Sequence, residues 1–263
     1  MIGGCALNHG SQKGPCAKVW DVRAWWLCTV CDIYVHYQGG KFSAIAFHVN
    51  DSAIFADANL INSIKSELKS KFNMCDLGEL HQFVGITVTH DRSTHTITIS
   101  QEQYICDILE CAGMSDCNPA PTPMSPKQTL KKFDGAQPGY LYATMIGSLM
   151  WAALCTCPDI AFSVNHLTQF TSCFGLEHVS TVKQVFWYLK GTVNYGIQYG
   201  PSDLGTKALG YVDMDWAEEK VWRSISGNVF IMSGGAISWS VKKQGSVPLS
   251  TLEAEYVALC HTS

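Results

Sequence analysis

From Lys41 onward, apolar and polar positions sort the chain into segments of two different periods. Phe42 to Val49 and Ser52 to Ala56 are strand-like runs, and Asn50-Asp51 between them tolerates turn geometry, so the stretch predicts a hairpin. Ile61, Ile64, Leu68 and Phe72 then recur at helical spacing, with Lys and Ser on the opposite face. His81 to Thr89 and His95 to Ser100 predict a second hairpin around "HDRST". The following "SQEQYICDILECAGM" predicts a helix opened by a capping box of Ser100 and Gln103 and stopped at Gly113.

The pattern changes at residues 115 to 138, which hold prolines 119, 121, 123, 126 and 138. Proline fixes φ and lacks an amide donor, so this stretch predicts an extended connector. Three helical segments follow, Tyr142 to Leu154, Asp159 to Thr171 behind Pro158, and Glu177 to Lys190 before Gly191. Ala208 to Val212, Gly227 to Ser233 and Ala236 to Val241 then read as three strands, with Gly234-Gly235 as a tight turn. Ser250 to Glu253 is another capping box and predicts a last helix. Residues 1 to 40 carry no clear period.

Composition narrows the class. The chain has 263 residues, 47% hydrophobic and 15% charged, which is globular and sufficient for one large or two modest domains. No apolar run approaches the roughly 18 residues that span a bilayer, and the N-terminus lacks a signal-peptide pattern. Both features favour an intracellular, cytoplasmic setting, where the twelve cysteines read as thiols. Cys28 and Cys31 have zinc-knuckle spacing, but Cys5 and Cys16 are too far apart to complete it, so buried thiols are the better reading. The net charge of −4 gives no overall electrostatic case for nucleic acid. Lys65, Lys69 and Lys71, or Lys242 and Lys243, form local basic patches or simply solvated faces.

Two places offer carboxylates. Metal-assisted phosphoryl and nuclease chemistry needs several acids converging on Mg²⁺. Asp213 and Asp215 close the first C-terminal strand, and Glu255 lies in the Ser250 helix; together they form part of a metal cluster, or are a strand end and an exposed helix residue. Asp51, taken alone, is a turn residue.

Several phrases then add a resemblance. "DLGELHQFVGI", "SQEQYICDIL", "GSLMWAALCTCPDIAFSV", "YLKGTVNYGI", "GYVDMDWA", "SISGNVFIMSGGAISWSVKKQ" and "LSTLEAEYVAL" occur in order. From about residue 34 onward the chain resembles the C-terminal part of copia-type LTR retrotransposon polyproteins. The resemblance implies an α/β (α+β) fold: a partial reverse-transcriptase palm and helical connector, followed by an incomplete RNase H-like domain. The boundaries it suggests are an ill-defined segment 1–40, the end of the palm at 41–114, a proline-rich connector at 115–138, a helical connection at 139–200 and the RNase H-like part at 205–263.

The same resemblance implies site residues. The opening hairpin carries Tyr-Val-Asp-Asp in the family, and His48-Val49-Asn50-Asp51 stands in its place. Asn50 falls on the principal metal-binding aspartate, and an amide cannot supply the charge that offsets a cation's dehydration. The palm strand bearing another metal-binding aspartate is expected before residue 1. Asp213 and Glu255 match RNase H acids, and Asp215 matches a second acid of the same phrase. The family's later aspartates are expected beyond Ser263. Cys157 replaces the usual arginine before Pro-Asp, and Glu218-Glu219 replaces Gly-Asp.

The expectation is therefore a catalytically inactive reverse-transcriptase remnant of such an element. Mg²⁺ is the family's cofactor, and nucleic acid (RNA–DNA hybrid or primer-template) and the rest of the polyprotein are its partners, with no membrane. The alternatives are an RNase H-type nuclease using Asp213 and Glu255, or a domesticated, non-catalytic binding module.

Overall fold

The computed structural model describes residues 2–9, 32–38, 40–49, 51–125, 128–203, 205, 207–215, 224–244 and 255, with the backbone alone at 2–9, 38, 58, 214 and 215. The chain divides into two compact units, Met1–Thr89 and His90–Ser263. Both mix helices with antiparallel strands, as the α/β expectation requires. Among the described residues no helix is long and apolar enough to cross a membrane.

The first unit is built on a five-stranded antiparallel sheet. Its strands are β1 (Ile2–His9), β2 (Asp32–Gln38), β3 (Lys41–His48), β4 (Asp51–Asp57) and β5 (Met74–Glu79), in the order β2-β3-β4-β1-β5. Strand alternation gives the sheet two different faces. The Ile45–Ile54 pair faces helix α1 (Ala58–Lys71), whose Ile61, Ile64 and Leu68 pack there with Met74 and Phe72. The Ala46–Ala53 pair faces the other way and joins Leu80, Phe83, Ile33 and Val88. The predicted strand 81–89 is instead split. A two-residue strand β6 (Gln82–Phe83) turns at Val84 and Gly85, φ +52° and +76°, into β7 (Ile86–Asp91). Two successive positive φ values make the mirror-image turn that matches strand twist.

The second unit contains β8 (Thr96–Ser100), α2 (Glu102–Cys111), α3 (Tyr142–Cys155), a 3₁₀ turn at Pro158–Ile160, α4 (Ala161–Thr168), α5 (Leu176–Gly191) and β9 (Gly196–Tyr199). Beyond them runs a meander of β10 (Leu209–Asp215), β11 (Ile225–Met232) and β12 (Gly235–Lys243). Its core joins Ile105, Leu149, Ile160, Leu167, Val182 and Phe186, all buried. Gly113, at φ +67°, stops α2, and the Met114 amide reaches back to the Leu109 carbonyl at 2.8 Å. The expected capping box does not form. Gln101, wholly buried, takes the N-cap position and accepts a bond from the Thr156 hydroxyl, while Gln103 donates to Asp107 one turn on.

The proline-rich stretch is extended but not free. Ala120 N donates to the Trp187 carbonyl, Gln184 Nε2 to the Thr122 carbonyl, and Gln128 Nε2 to Thr181 Oγ1, while Leu130 enters the core. The stretch therefore straps α5. The meander's tight turn uses Ser233 and Gly234, φ +51° and +81°, rather than Gly234-Gly235; Gly235 already belongs to β12. The helix expected from Ser250 lies outside the described residues except for Glu255, which is helical.

Two histidines make this core pH-sensitive. Phe170 stands between His166 and His178, with ring centroids 5.6 and 4.4 Å away. Burial holds His166 below its ordinary pKa, with help from Lys243 on β12 and from His178. Burial likewise lowers His178, against the opposing pull of Glu177. Burial thus favours the neutral form of both rings in the fold, so the unfolded chain binds more protons as pH falls through 6.5. Stability is full above that value and falls as pH drops toward the lowered folded values. The urea midpoint of the second unit is expected to decrease from pH 7.5 to 5.5, with a shallower slope in His166→Asn.

Candidate functional site

The opening hairpin forms where its alternation places it, but Asp51 is not a turn residue: it pairs across with His48 and is the first residue of β4. Val49 takes φ +48° and is 84% exposed. A β-branched residue there is strained, by about 1–3 kcal/mol for such outliers, and strain of this kind concentrates at functional elements. Asn50 lies outside the described residues.

Asp51 is half-buried and sits between two strands. On the β3 side its register partner is His48, and on the β1 side it is Asn8. The strand beside Asp51 is thus β1, where no strand was expected, and Ile2 to His9 contain no Asp or Glu. A divalent ion needs several hard anionic oxygens, and of Asp51, His48 and Asn8 only Asp51 carries a carboxylate. Among the described residues no group of three or more His, Cys, Asp or Glu is placed to hold a metal ion. The residues at this turn do not fit a two-metal centre.

The C-terminal acids are placed as follows. Asp213 is exposed on β10, across from Gly227 of β11. Asp215 ends the same strand, across from Ile225. Glu255 is helical and exposed. Glu218 and Glu219 lie outside the described residues, as do Cys16, Cys28 and Cys31 of the knuckle spacing. Cys106, Cys157 and Cys173 are free thiols, and burial pushes Cys157 up to about 11. Cys157, in place of an arginine, is buried and precedes the Pro158–Ile160 turn, where Asp159 accepts a 2.6 Å bond from the Tyr188 hydroxyl.

The basic patch suggested for α1 is largely offset by two carboxylates. Lys65 and Lys69 both reach Asp76, at 3.1 and 3.5 Å, and Lys71 reaches Glu67 at 2.6 Å. Lys243 donates to Gln169. A cavity at the N-terminus of α5, lined by Lys131, Lys132, Phe133, Leu176 and His178 among others, was marked by no motif. Its residues come from two segments, 131–138 and 175–178, which no local pattern connects.

Comparison with known proteins adds the family context. Residues 26–126 match the family described as Reverse transcriptase (RNA-dependent DNA polymerase). The chain is 36% identical over 242 residues to the retrovirus-related Pol polyprotein from transposon TNT 1-94 of Nicotiana tabacum, covering 88% of this chain and 18% of that protein. It is 34% identical to the Pol polyprotein from transposon RE1 of Arabidopsis thaliana, over 97% of this chain and 18% of that protein. An uncharacterized mitochondrial protein of Arabidopsis thaliana is 34% identical over 83% of this chain and 91% of its own length. The chain thus spans about a fifth of the Pol polyproteins it matches. No solved structure matches it.

Proposed function

Because the chain belongs to the reverse-transcriptase family of copia-type retrotransposon Pol polyproteins, we propose that it is a remnant that keeps the polymerase hairpin without its metal chemistry. The family depends on divalent metal and binds nucleic acid within a larger polyprotein. The observation that carries the reading is the surroundings of Asp51. Its register partners are His48 and Asn8, and Asn50 stands where the resemblance puts the principal metal ligand. One carboxylate cannot offset the dehydration of two Mg²⁺ ions, nor hold the attacking and leaving oxygens in line. What remains is the β3–β4 ladder and the strained turn, which are matters of fold.

For the RNase H-like part the reading is the same. Asp213 and Glu255 keep the family's residue types, but both are exposed, and no acid cluster surrounds them among the described residues. An RNA–DNA hybrid incubated with the purified chain and Mg²⁺ is expected to stay intact. Cleavage that requires Mg²⁺ and disappears in Asp213→Asn would contradict this reading and restore the nuclease.

A further inference from the structure

Two histidines with unmade hydrogen bonds meet where α4, α5 and β12 join. Four rings follow one another there, Phe162, His166, Phe170 and His178, with centroid separations of 6.2, 5.6 and 4.4 Å along the row. Both nitrogens of His166 are buried and meet no hydrogen-bond partner among the described residues. A neutral imidazole offers one donor and one acceptor, so two bonds are unmade on this ring. His178 is 1% exposed, and its Nδ1 accepts the Gly175 N–H at 3.0 Å. Its Nε2 therefore carries the proton, and that donor is also unmet among the described residues. Buried polar groups are rarely left so, because each carries a desolvation cost that water would relieve.

The backbone around His166 is weakly held. α4 has only eight residues. Past it the chain relies on bonds to the third residue back: Gln169 N to the His166 carbonyl at 3.4 Å, Phe170 N to Leu167 at 3.1 Å, Thr171 N to Thr168 at 3.3 Å and Cys173 N to Phe170 at 2.9 Å. Bonds of this 3₁₀ type have poorer geometry than α-helical ones. Those of Gln169 and Thr171 also exceed the usual limit of about 3.2 Å. From β12, Lys243 Nζ donates to Gln169 Oε1 at 3.4 Å.

Charge bears on the junction from three elements. Lys243 on β12 and His178 on α5 both disfavour a charged His166 ring, adding to its burial. Glu177, in the first turn of α5, favours charge on His178. From α3, the Tyr142 hydroxyl donates to the Leu167 carbonyl, and Asp159 of the 3₁₀ turn is bonded by Tyr188. Among the described residues no carboxylate offsets a proton on His166.

We propose that His166 is an acid-sensitive latch, whose protonation frees residues 165–173 from β12 and α5 while α3 and the body of α5 stay packed. Opening brings the imidazolium and the unmet nitrogens to water and separates the new charge from Lys243. The event is local, and it does not involve the acids at Asp51 or Asp213.

Hydrogen–deuterium exchange of the full chain at pH 7.5, 6.5 and 5.5, corrected for the intrinsic pH dependence of exchange, tests the latch. Amides of 169–173 are expected to exchange well ahead of those of 182–189 at each pH. Their protection is expected to fall several-fold between pH 6.5 and 5.5, bounded at about tenfold because one titrating group shifts an equilibrium by no more than that per pH unit. His166→Phe keeps a ring in the row without nitrogens; it is expected to raise protection of 169–173 and remove the fall, a gain that misfolding cannot produce. Lys243→Gln keeps a donor for Gln169 without the charge and is expected to make the fall smaller. Exchange of 169–173 together with 182–189, no fall in the unsubstituted chain, or an unchanged fall in either variant would each overturn the proposal.

Discussion

Phe186→Ala is expected to lower the unfolding free energy of the second unit by about 3–5 kcal/mol, the usual cost of emptying a buried aromatic site. Phe186 is wholly buried on α5, within the cluster that also holds Leu149, Ile160, Leu167, Val182 and Val185. These residues come from α3, the 3₁₀ turn, α4 and α5, so the cavity would be walled by four elements that cannot all collapse inward at once. Domains of this kind have only about 5–15 kcal/mol in total. Urea denaturation followed by circular dichroism should show a lower midpoint with little change in slope. A loss below about 1 kcal/mol would mean that α5 is not packed as described.

Gly235→Val is expected to cost about 1–3 kcal/mol through overpacking. A Cβ at Gly235 would lie 2.6 Å from Tyr199 Cδ1 and 2.7 Å from the Gln198 carbonyl oxygen. The ring could swing away, but the carbonyl belongs to β9, which pairs with β8. The contact is also where the meander is tied down, because the Tyr199 hydroxyl donates to the Ala236 carbonyl at 2.7 Å and Gly200 N to the Ser233 carbonyl at 2.9 Å. Gly227→Ala is the control. Its Cβ would meet nothing within 4 Å, and thermal melting should shift far less than for Gly235→Val. Equal shifts would show that strand propensity, and not the close approach, sets the effect.

Where the pattern was local, the elements could be read directly. Strands β3 and β4 follow from alternation, and α3 and α5 from helical spacing, each to within a residue of its observed ends, while the spacing of Ile61, Ile64 and Leu68 marks the body of α1. Where the partner was distant, the reading failed. Strand β1 pairs with β4 more than forty residues on, and β9 pairs with β8 across about a hundred. Neither segment signals that partner in its own residues. Turn positions were misread for a different reason. Asn50-Asp51 and Gly234-Gly235 contain favoured turn residues, but Asp51 and Gly235 already belong to the strands that follow, and Val49 and Ser233 take positive φ. The Ser100 capping box was lost to burial of Gln101, and the strap looked like a linker because its bonds to α5 are made by scattered glutamines and backbone amides.

The candidate site was legible only in part. Resemblance located the hairpin and the acids Asp51, Asp213 and Glu255, and it marked Asn50 as the departure. What surrounds Asp51 could not be read in advance, because β1 belongs to the stretch without period. That strand carries Asn8 opposite Asp51 and no acid of its own. The register partners of Asp51, His48 and Asn8, add no carboxylate to its own.

Primer extension tests this account most directly. The purified chain, given a primed RNA template, deoxynucleotides and Mg²⁺, is expected to add no nucleotide above a protein-free control, and Asn50→Asp is expected to restore nothing, since one added carboxylate leaves the β1 side of Asp51 without an acid. Mg²⁺-dependent extension by the chain, or its appearance in Asn50→Asp, would contradict the account.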